Sequence, residues 1–303
     1  MASASPSFAR MNGIGSKVTS TTEIAPANRS GAGSSPRKVA IKLAKQSGIG
    51  DRLFFHGVNV SGDIASLGSI SGPKATILVT AINSATEERR AGIGDGKLSF
   101  MSYFNDDGAA NRAAAAGSTF HELSQIRQTD VVLLYCRGAA IGSPCAALTA
   151  KQLNADPTRA ADGSFTFQVD TVASGSPLEW GELLTAGQVT FASSGASAPA
   201  GIVSAAQTAN GGVGFLQFES RDSGTPTFLI EDSADTTTGA DGTWGTLLTF
   251  TNTGGASAFG ERKTVTGIVE KGIRCGVPTG TYSNALVAVG FRRGIAQDSE
   301  SLA

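Results

Sequence analysis

The sequence is poor in the residues that carry out chemistry. Only 16% of its 303 residues are charged, and its two histidines, His56 and His121, lie outside any metal-binding spacing. Asp232, Asp235 and Asp241 follow no EF-hand spacing and lack its closing glutamate, so we interpret them as part of an exposed loop. Without a nucleophile–base set or a metal motif, we predict no enzymatic activity, no metal site and no cofactor.

Cysteine is also scarce. The three cysteines, Cys136, Cys145 and Cys275, form neither an even-numbered disulfide framework nor a metal-ligand spacing. Free cysteine is among the most buried residue types, so we predict buried, inert thiols in a protein of a reducing compartment.

An excess of one charge and long apolar runs are both missing. The net charge is −1 and the isoelectric point is near 6.2, which argues against a protein that holds nucleic acid by neutralising phosphates. No apolar stretch approaches the ~20 residues of a membrane span. Residues 1–6 lack the apolar core of a signal peptide, so we expect synthesis and assembly in the cytoplasm.

Glycine, by contrast, is abundant, with 39 residues that favour short strands joined by tight turns. The clearest example lies between Asp156 and Val169. Asp156-Pro157 predicts one turn and Asp162-Gly163 a second that closes a hairpin. Apolar and polar residues then alternate over residues 165–169, which predicts a strand with one buried face.

Other segments extend this mainly β interpretation. The nearly continuous apolar run Asp130–Tyr135 predicts a central strand buried on both faces, with Cys145–Leu153 as its partner. Asn111–Ile126 is the one good helix candidate, with a second possible start at Ser118.

The composition predicts three regions. Residues 1–36 are rich in small polar residues without a hydrophobic period, which predicts a flexible N-terminal arm. Residues 37–190 form the first β domain. A shift to Ser, Ala and Gly near residues 188–210 marks the boundary, and residues 191–303 then read as a second β-sandwich domain.

The order and spacing of several turn-and-strand segments resemble the major tail (tail tube) proteins of long-tailed, siphovirus-type bacteriophages. The likeness spans about residues 53–187, and residues 221–292 resemble more loosely the extra C-terminal β-sandwich domain of some of these proteins. The segments that carry it are Val60–Gly72, Ala75–Thr80, Asp95–Asn105, Thr129–Gly138, Asp156–Val169 and Leu178–Gly181.

This resemblance implies a tail-tube-like β-barrel or sandwich with one flanking helix, followed by a second β-sandwich domain. It implies a structural virion protein that forms rings, usually hexamers, which stack into a hollow tail tube through which DNA passes during ejection. The implied partners are other copies of the chain, the tape measure, terminator and distal tail proteins, and DNA that slides through without specific binding. The implied location is the virion tail.

DNA would pass more easily through a neutral or acidic bore than a basic one, because it carries about one charge per 1.7 Å of its axis. Glu87, Glu88, Asp106 and Asp107 are the candidate residues lining the lumen. Two alternatives remain. One is a surface-binding module whose C-terminal sandwich recognises host carbohydrate or envelope, and the other is a hydrolase assembled from unmatched loops.

Overall fold

A computed structural model describes residues 50–105, 119–251 and 257–295 of the chain. The predicted N-terminal arm over residues 1–36 lies outside this part, as do the candidate lumen residues Asp106 and Asp107. All described residues belong to one compact unit. Within them, no helix is long and apolar enough to cross a membrane.

Strands make up most of the regular structure, which confirms the mainly β prediction. The single α-helix among the described residues, α1, covers Thr119–Ser124, and a 3₁₀ turn covers Ser61–Asp63. The strands are β1 Arg52–Phe55, β2 Val58–Asn59, β3 Ile64–Ser71, β4 Lys74–Leu78, β5 Arg89–Gly94, β6 Lys97–Tyr103, β7 Val131–Cys136, β8 Pro144–Gln152, β9 Asp156–Arg159, β10 Phe165–Ala173, β11 Glu179–Leu183, β12 Val189–Phe191, β13 Ile202–Val203, β14 Gly212–Ser220, β15 Ser223–Gly224, β16 Leu229–Ser233, β17 Gly245–Thr249, β18 Phe259–Val265, β19 Gly272–Cys275, β20 Tyr282–Ser283 and β21 Ala285–Arg293.

Thirteen of these strands form one sheet. Its main path runs β18-β14-β21-β11-β8-β10-β6-β3, and β1, β2, β7, β9 and β12 pair beside that path. A second sheet of four strands has the order β13-β19-β16-β17. Among the described residues the sheets form no closed barrel, so the architecture is that of a β-sandwich.

The central strand and its partner agree with the prediction. Every residue of β7 is buried, as expected for an apolar run covered on both faces. β7 pairs with β8 in an antiparallel ladder in which Leu133 lies opposite Leu148. Their side chains contribute to a core cluster that also contains Phe55, Phe100 and Val169.

The segment that begins at Asp156 corrects one prediction. Asp156-Pro157 does not start a turn, because β9 begins there and Pro157 lies opposite Phe167 of β10. Among the described strands β9 pairs with β10 alone, so the missing N–H of a proline is tolerated on its outer edge. The second turn is as predicted, since Gly163 has a φ of +90°.

The helix is shorter in the described residues than the prediction. α1 ends at Ser124, and Ile126 has left the helix with a φ of +39°. Residues 111–118 of the predicted helix, including the second start, lie outside the described residues. The ring centroid of Phe120 on α1 lies 4.8 Å from that of Phe104 and 5.4 Å from that of Phe167. The helix therefore covers one end of the sheet.

Hydrogen bonds cross the predicted domain boundary at residue 190. β11 pairs with β21, with Leu183 opposite Gly290. The buried carboxylate of Glu179 on β11 accepts bonds from Arg262 Nε at 2.6 Å and Arg292 Nη1 at 3.3 Å. A core cluster around Phe54 and Phe215, among others, draws side chains from both regions. The two-domain division stays a prediction, but the two regions share one sheet.

Candidate assembly surface

The hairpin formed by β4 and β5, residues 74–94, is exposed along most of its length. These strands pair only with each other among the described residues, with Ile77 opposite Arg90 and Leu78 opposite Arg89. The hairpin is inserted between β3 and β6, which pair with each other up to Ser71 opposite Lys97. The two ladders follow one another along the chain, so the hairpin extends the edge of the main sheet.

Large apolar side chains of this hairpin are uncovered. Leu78 is 61% exposed, Ile93 is 87% exposed and Ile82 at the tip is fully exposed. Ile77 and Leu78 are neighbours in a strand and therefore point to opposite faces, yet both are more than half exposed. An isolated two-stranded hairpin is marginally stable in water, and a patch of uncovered apolar residues typically marks an interaction surface.

The base of the hairpin is tightly fixed to the sheet. The N–H of Asp95 donates to the carbonyl of Pro73 at 2.8 Å, and the N–H of Leu178 donates to the carbonyl of Asp95 at 3.3 Å. Gly96 approaches so closely that a Cβ there would lie 2.6 Å from Leu148 Cδ1. The hairpin is thus anchored to the sheet at its base, whereas its two strands are exposed.

The tip carries two of the candidate lumen residues. Glu87 forms an ion pair with Arg89 at 2.6 Å, and both side chains are about two-thirds exposed. The Glu88 carboxylate accepts a bond from Ser84 Oγ at 3.1 Å, while its backbone N–H donates to Thr80 Oγ1 at 2.9 Å. Glu87 and Glu88 therefore lie close together on an exposed tip, with the charge of Glu87 partly balanced.

The strand that leads into the hairpin is also incompletely paired. β3 is the last strand on the main path, and in the described part of the chain it pairs only with β6. Its register shifts between Ile64 and Ser66 and again between Leu67 and Ile70. Such irregularities are typical of edge strands, where they limit uncontrolled pairing. The edge of β3 and the β4–β5 hairpin together form the candidate assembly surface.

The aspartate-rich loop is organised by its own hydrogen bonds. Asp241 Oδ1 accepts the N–H groups of Thr237 at 3.0 Å and Thr238 at 2.8 Å, and the Thr236 hydroxyl at 2.8 Å. The Thr237 hydroxyl donates to Asp241 Oδ2 at 2.6 Å. This bond, followed by the others, holds the pKa of Asp241 far below its usual value. In the described ranges, no three His, Cys, Asp or Glu side chains are grouped so that they could hold a metal ion.

The β-branched run of residues 75–80 indicates one strand of this surface, and β4 covers Lys74–Leu78. The sequence indicates neither β5 nor the exposure of the hairpin. The same pattern is found in strands that are fully covered, so only the fold reveals that this one is bare. The one signal available from the sequence is the set of polar residues between positions 83 and 90, which marks an exposed turn.

No protein-family model and no curated protein sequence matches the chain. A chain from the virion of a native gene transfer agent (GTA) particle aligns with 45% of this chain and 98% of its own length, at 14% identity and a TM-score of 0.30. The crystal structure of the SPP1 Dit (gp 19.1) protein, described as a paradigm of the hub adsorption apparatus in phages that infect Gram-positive bacteria, aligns with 80% of this chain and 99% of its own, at 9% identity and a TM-score of 0.28. Because both TM-scores are low, the role of this chain has to be inferred from its own residues.

Proposed function

We propose that this chain is a structural virion protein of a bacteriophage-type tail. Its copies assemble into rings, the rings stack into the tail tube, and the tube is a conduit for DNA during ejection. The role is structural and involves no enzymatic step. In this proposal the protein is made in the host bacterial cytoplasm and resides in the virion tail, where tape measure, terminator and distal tail proteins are its further partners.

The observation that carries the proposal is the uncovered β4–β5 hairpin at the edge of the main sheet. Fully burying an exposed isoleucine or leucine is worth about 1.5–3 kcal/mol, and several such residues share this element. A neighbouring copy is the partner that fits best, because in the described part of the chain the outer edge of β3 beside the hairpin has no paired strand and can accept one. A heterologous contact of this kind, repeated around an axis, closes into a ring.

The sequence supports the same role. Segments spread over residues 53–187 resemble tail tube proteins in their order, and the net charge of −1 suits a tube through which DNA slides. We propose that Glu87 and Glu88, with Asp106 and Asp107, contribute negative charge to the lumen.

Electron microscopy and sedimentation of the purified chain test the assembly. We expect rings or tubes from the natural sequence and monomers from the double variant Ile82→Asp with Ile93→Asp. Placing a charge at two contact positions should raise the concentration needed for assembly roughly a hundred-fold or more. Ile268→Asp is the matched control, because Ile268 is 54% exposed and lies between β18 and β19, away from the hairpin.

Because the substituted side chains are solvated in the single subunit, the variants should keep the thermal midpoint of the monomer. A natural chain that stays monomeric at high concentration and binds host glycans would overturn the proposal in favour of the surface-binding alternative. Equal loss of assembly in the Ile268→Asp control would show that the hairpin is not the contact.

The lumen assignment has its own test. Tubes of the natural sequence should not retain double-stranded DNA at low salt, whereas tubes with Glu87→Lys and Glu88→Lys should retain it. Retention should fall steeply with salt, because each neutralised phosphate contributes a slope of about −0.9 in log affinity against log salt. Tubes in which both substitutions leave DNA retention unchanged would show that these residues face away from the bore.

A further inference from the structure

Two of the three cysteines face each other across neighbouring strands. In the β7–β8 ladder, Cys136 lies directly opposite Cys145. The next pair along is bonded, since the N–H of Arg137 donates to the carbonyl of Pro144 at 2.8 Å. Bonded and non-bonded pairs alternate in an antiparallel ladder, so the cysteines occupy a non-hydrogen-bonded pair.

This type of pair has the spacing that a disulfide needs. Directly opposed residues of a non-hydrogen-bonded pair have Cα atoms about 4.5 Å apart, and their side chains lie closer together than in the bonded type. A disulfide spans Cα separations of roughly 4.4–6.8 Å. The backbone of β7 and β8 therefore permits a bond between Cys136 and Cys145 without a change of register.

The surroundings of the pair are apolar. Both thiols are free and buried in the cluster that contains Phe54, Leu134 and Leu183. The side chain of Cys145 is turned toward β21, where a Cβ at Gly290 would lie 3.1 Å from its sulfur. Bond formation therefore requires the Cys145 sulfur to rotate away from Gly290 and toward Cys136.

We propose that Cys136 and Cys145 are a latent cross-strand disulfide, which closes when the chain folds in the presence of a small-molecule disulfide. One cysteine thiolate attacks a sulfur of the oxidant and releases one small thiol, which takes up the proton. The second thiolate then attacks the mixed disulfide and releases the second small thiol. The cysteine pair loses two electrons and two protons, and the oxidant is reduced to two thiols.

Burial controls when this reaction takes place. Desolvation raises the pKa of the Cys145 thiol to about 12 and raises that of Cys136 strongly as well. At pH 8 this lowers the thiolate fraction of Cys145 roughly a thousand-fold relative to an ordinary cysteine. The bond should therefore form slowly in the folded protein and quickly while the strands are still assembling.

The test is refolding of the full chain in a mixture of oxidised and reduced glutathione, followed by mass spectrometry of peptides under non-reducing conditions. We expect a mass loss of about 2 Da and a peptide pair that links Cys136 to Cys145, with Cys275 still titratable. Cys275 lies in a different core cluster, on β19. The variant Cys275→Ser should keep the link, and Cys136→Ser should lose it.

The proposal is decided on the natural sequence even if a variant fails to fold. A linked chain that retains its cooperative thermal transition supports it, because the bond then fits the native register. Three free thiols after oxidative refolding, stable glutathione adducts, or a link that uses Cys275 would each overturn it. The readout requires neither rings nor tubes, so its result is independent of the proposed function.

Discussion

His56 makes the stability of the fold sensitive to mild acid. It occupies the two-residue turn between β1 and β2, where His56 and Gly57 both have positive φ values of 49° and 97°. Its Nδ1 is buried and has no hydrogen-bond partner among the described residues. Burial, together with the nearby Arg127 guanidinium, lowers the pKa of His56 from 6.5 to about 4. The native fold therefore keeps this imidazole neutral.

The magnitude follows from proton linkage. Above pH 6.5 the imidazole is neutral in both the native and the unfolded chain, so proton binding does not change the free energy of unfolding. Between pH 6.5 and pH 4 the unfolded chain binds a proton that the native chain does not, so the free energy of unfolding falls by about 1.36 kcal/mol per pH unit. Between pH 7.5 and pH 4.5 the loss amounts to roughly 2.5 kcal/mol. Below pH 4 the native imidazole also binds a proton, and this contribution stops changing.

The assay is urea unfolding at pH 7.5, 6.5, 5.5 and 4.5, in the Ile82→Asp, Ile93→Asp background that is expected to stay monomeric. His56→Asn is the matched variant, because asparagine accepts a positive φ and does not titrate. Carboxylates contribute equally to both curves, so the difference between them isolates His56. A second variant, His121→Gln, shows what the other histidine contributes.

The difference between the natural residue and His56→Asn should change by about 2–3 kcal/mol over this range, in favour of the variant at low pH. A difference that stays constant within about 0.5 kcal/mol from pH 7.5 to pH 4.5 would refute the reasoning, because linkage requires a slope wherever the two pKa values differ. It would mean that the native imidazole reaches solvent and titrates normally.

Substitutions at three further positions probe features of the core and the loop. Glu179→Ala removes the buried carboxylate that Arg262 contacts at 2.6 Å and should cost about 2–4 kcal/mol in chemical unfolding, whereas Glu179→Gln should cost less. Gly57→Ala places a Cβ 2.3 Å from a backbone carbonyl of β14 and should destabilise by about 3 kcal/mol or more in the same assay. The ionised Asp241 carboxylate contributes loop stability that is present above pH 3.8 and is lost as the pH falls below it, and Asp241→Asn should abolish this contribution. The fluorescence of Trp244, whose Nε1 donates to the carbonyl of residue 241, measures the change.

Strand positions were predictable where the pattern depends only on the chain itself. The apolar run at residues 130–135 predicted β7, and its length and composition identified a strand covered on both faces. Gly163 took its positive φ because the Asp-Gly turn requires it. Asp156-Pro157 misled the prediction, since proline at the outer edge of a strand obeys the same local rules as proline in a turn.

What the sequence could not reveal is which segments become neighbours. β4 and β7 are both rich in apolar and β-branched residues, yet β4 is exposed throughout and β7 is buried throughout. The difference arises from distant strands that cover one and not the other. The opposition of Cys136 and Cys145 is of the same kind, because it depends on the register of β7 and β8 and not on the spacing of the cysteines.

The anchored β4–β5 hairpin also determines how the subunit would respond to a mechanical force. The β4–β5 ladder is followed at its base by the β3–β6 ladder, which in turn pairs through β10 with the rest of the main sheet. Hydrogen bonds of an antiparallel ladder lie perpendicular to the strands, so a force along the hairpin loads many of them at once in shear. Tension applied at the tip would thus be carried into a thirteen-stranded sheet instead of a single loop. A neighbouring copy bound to this hairpin would therefore transmit force to the whole subunit.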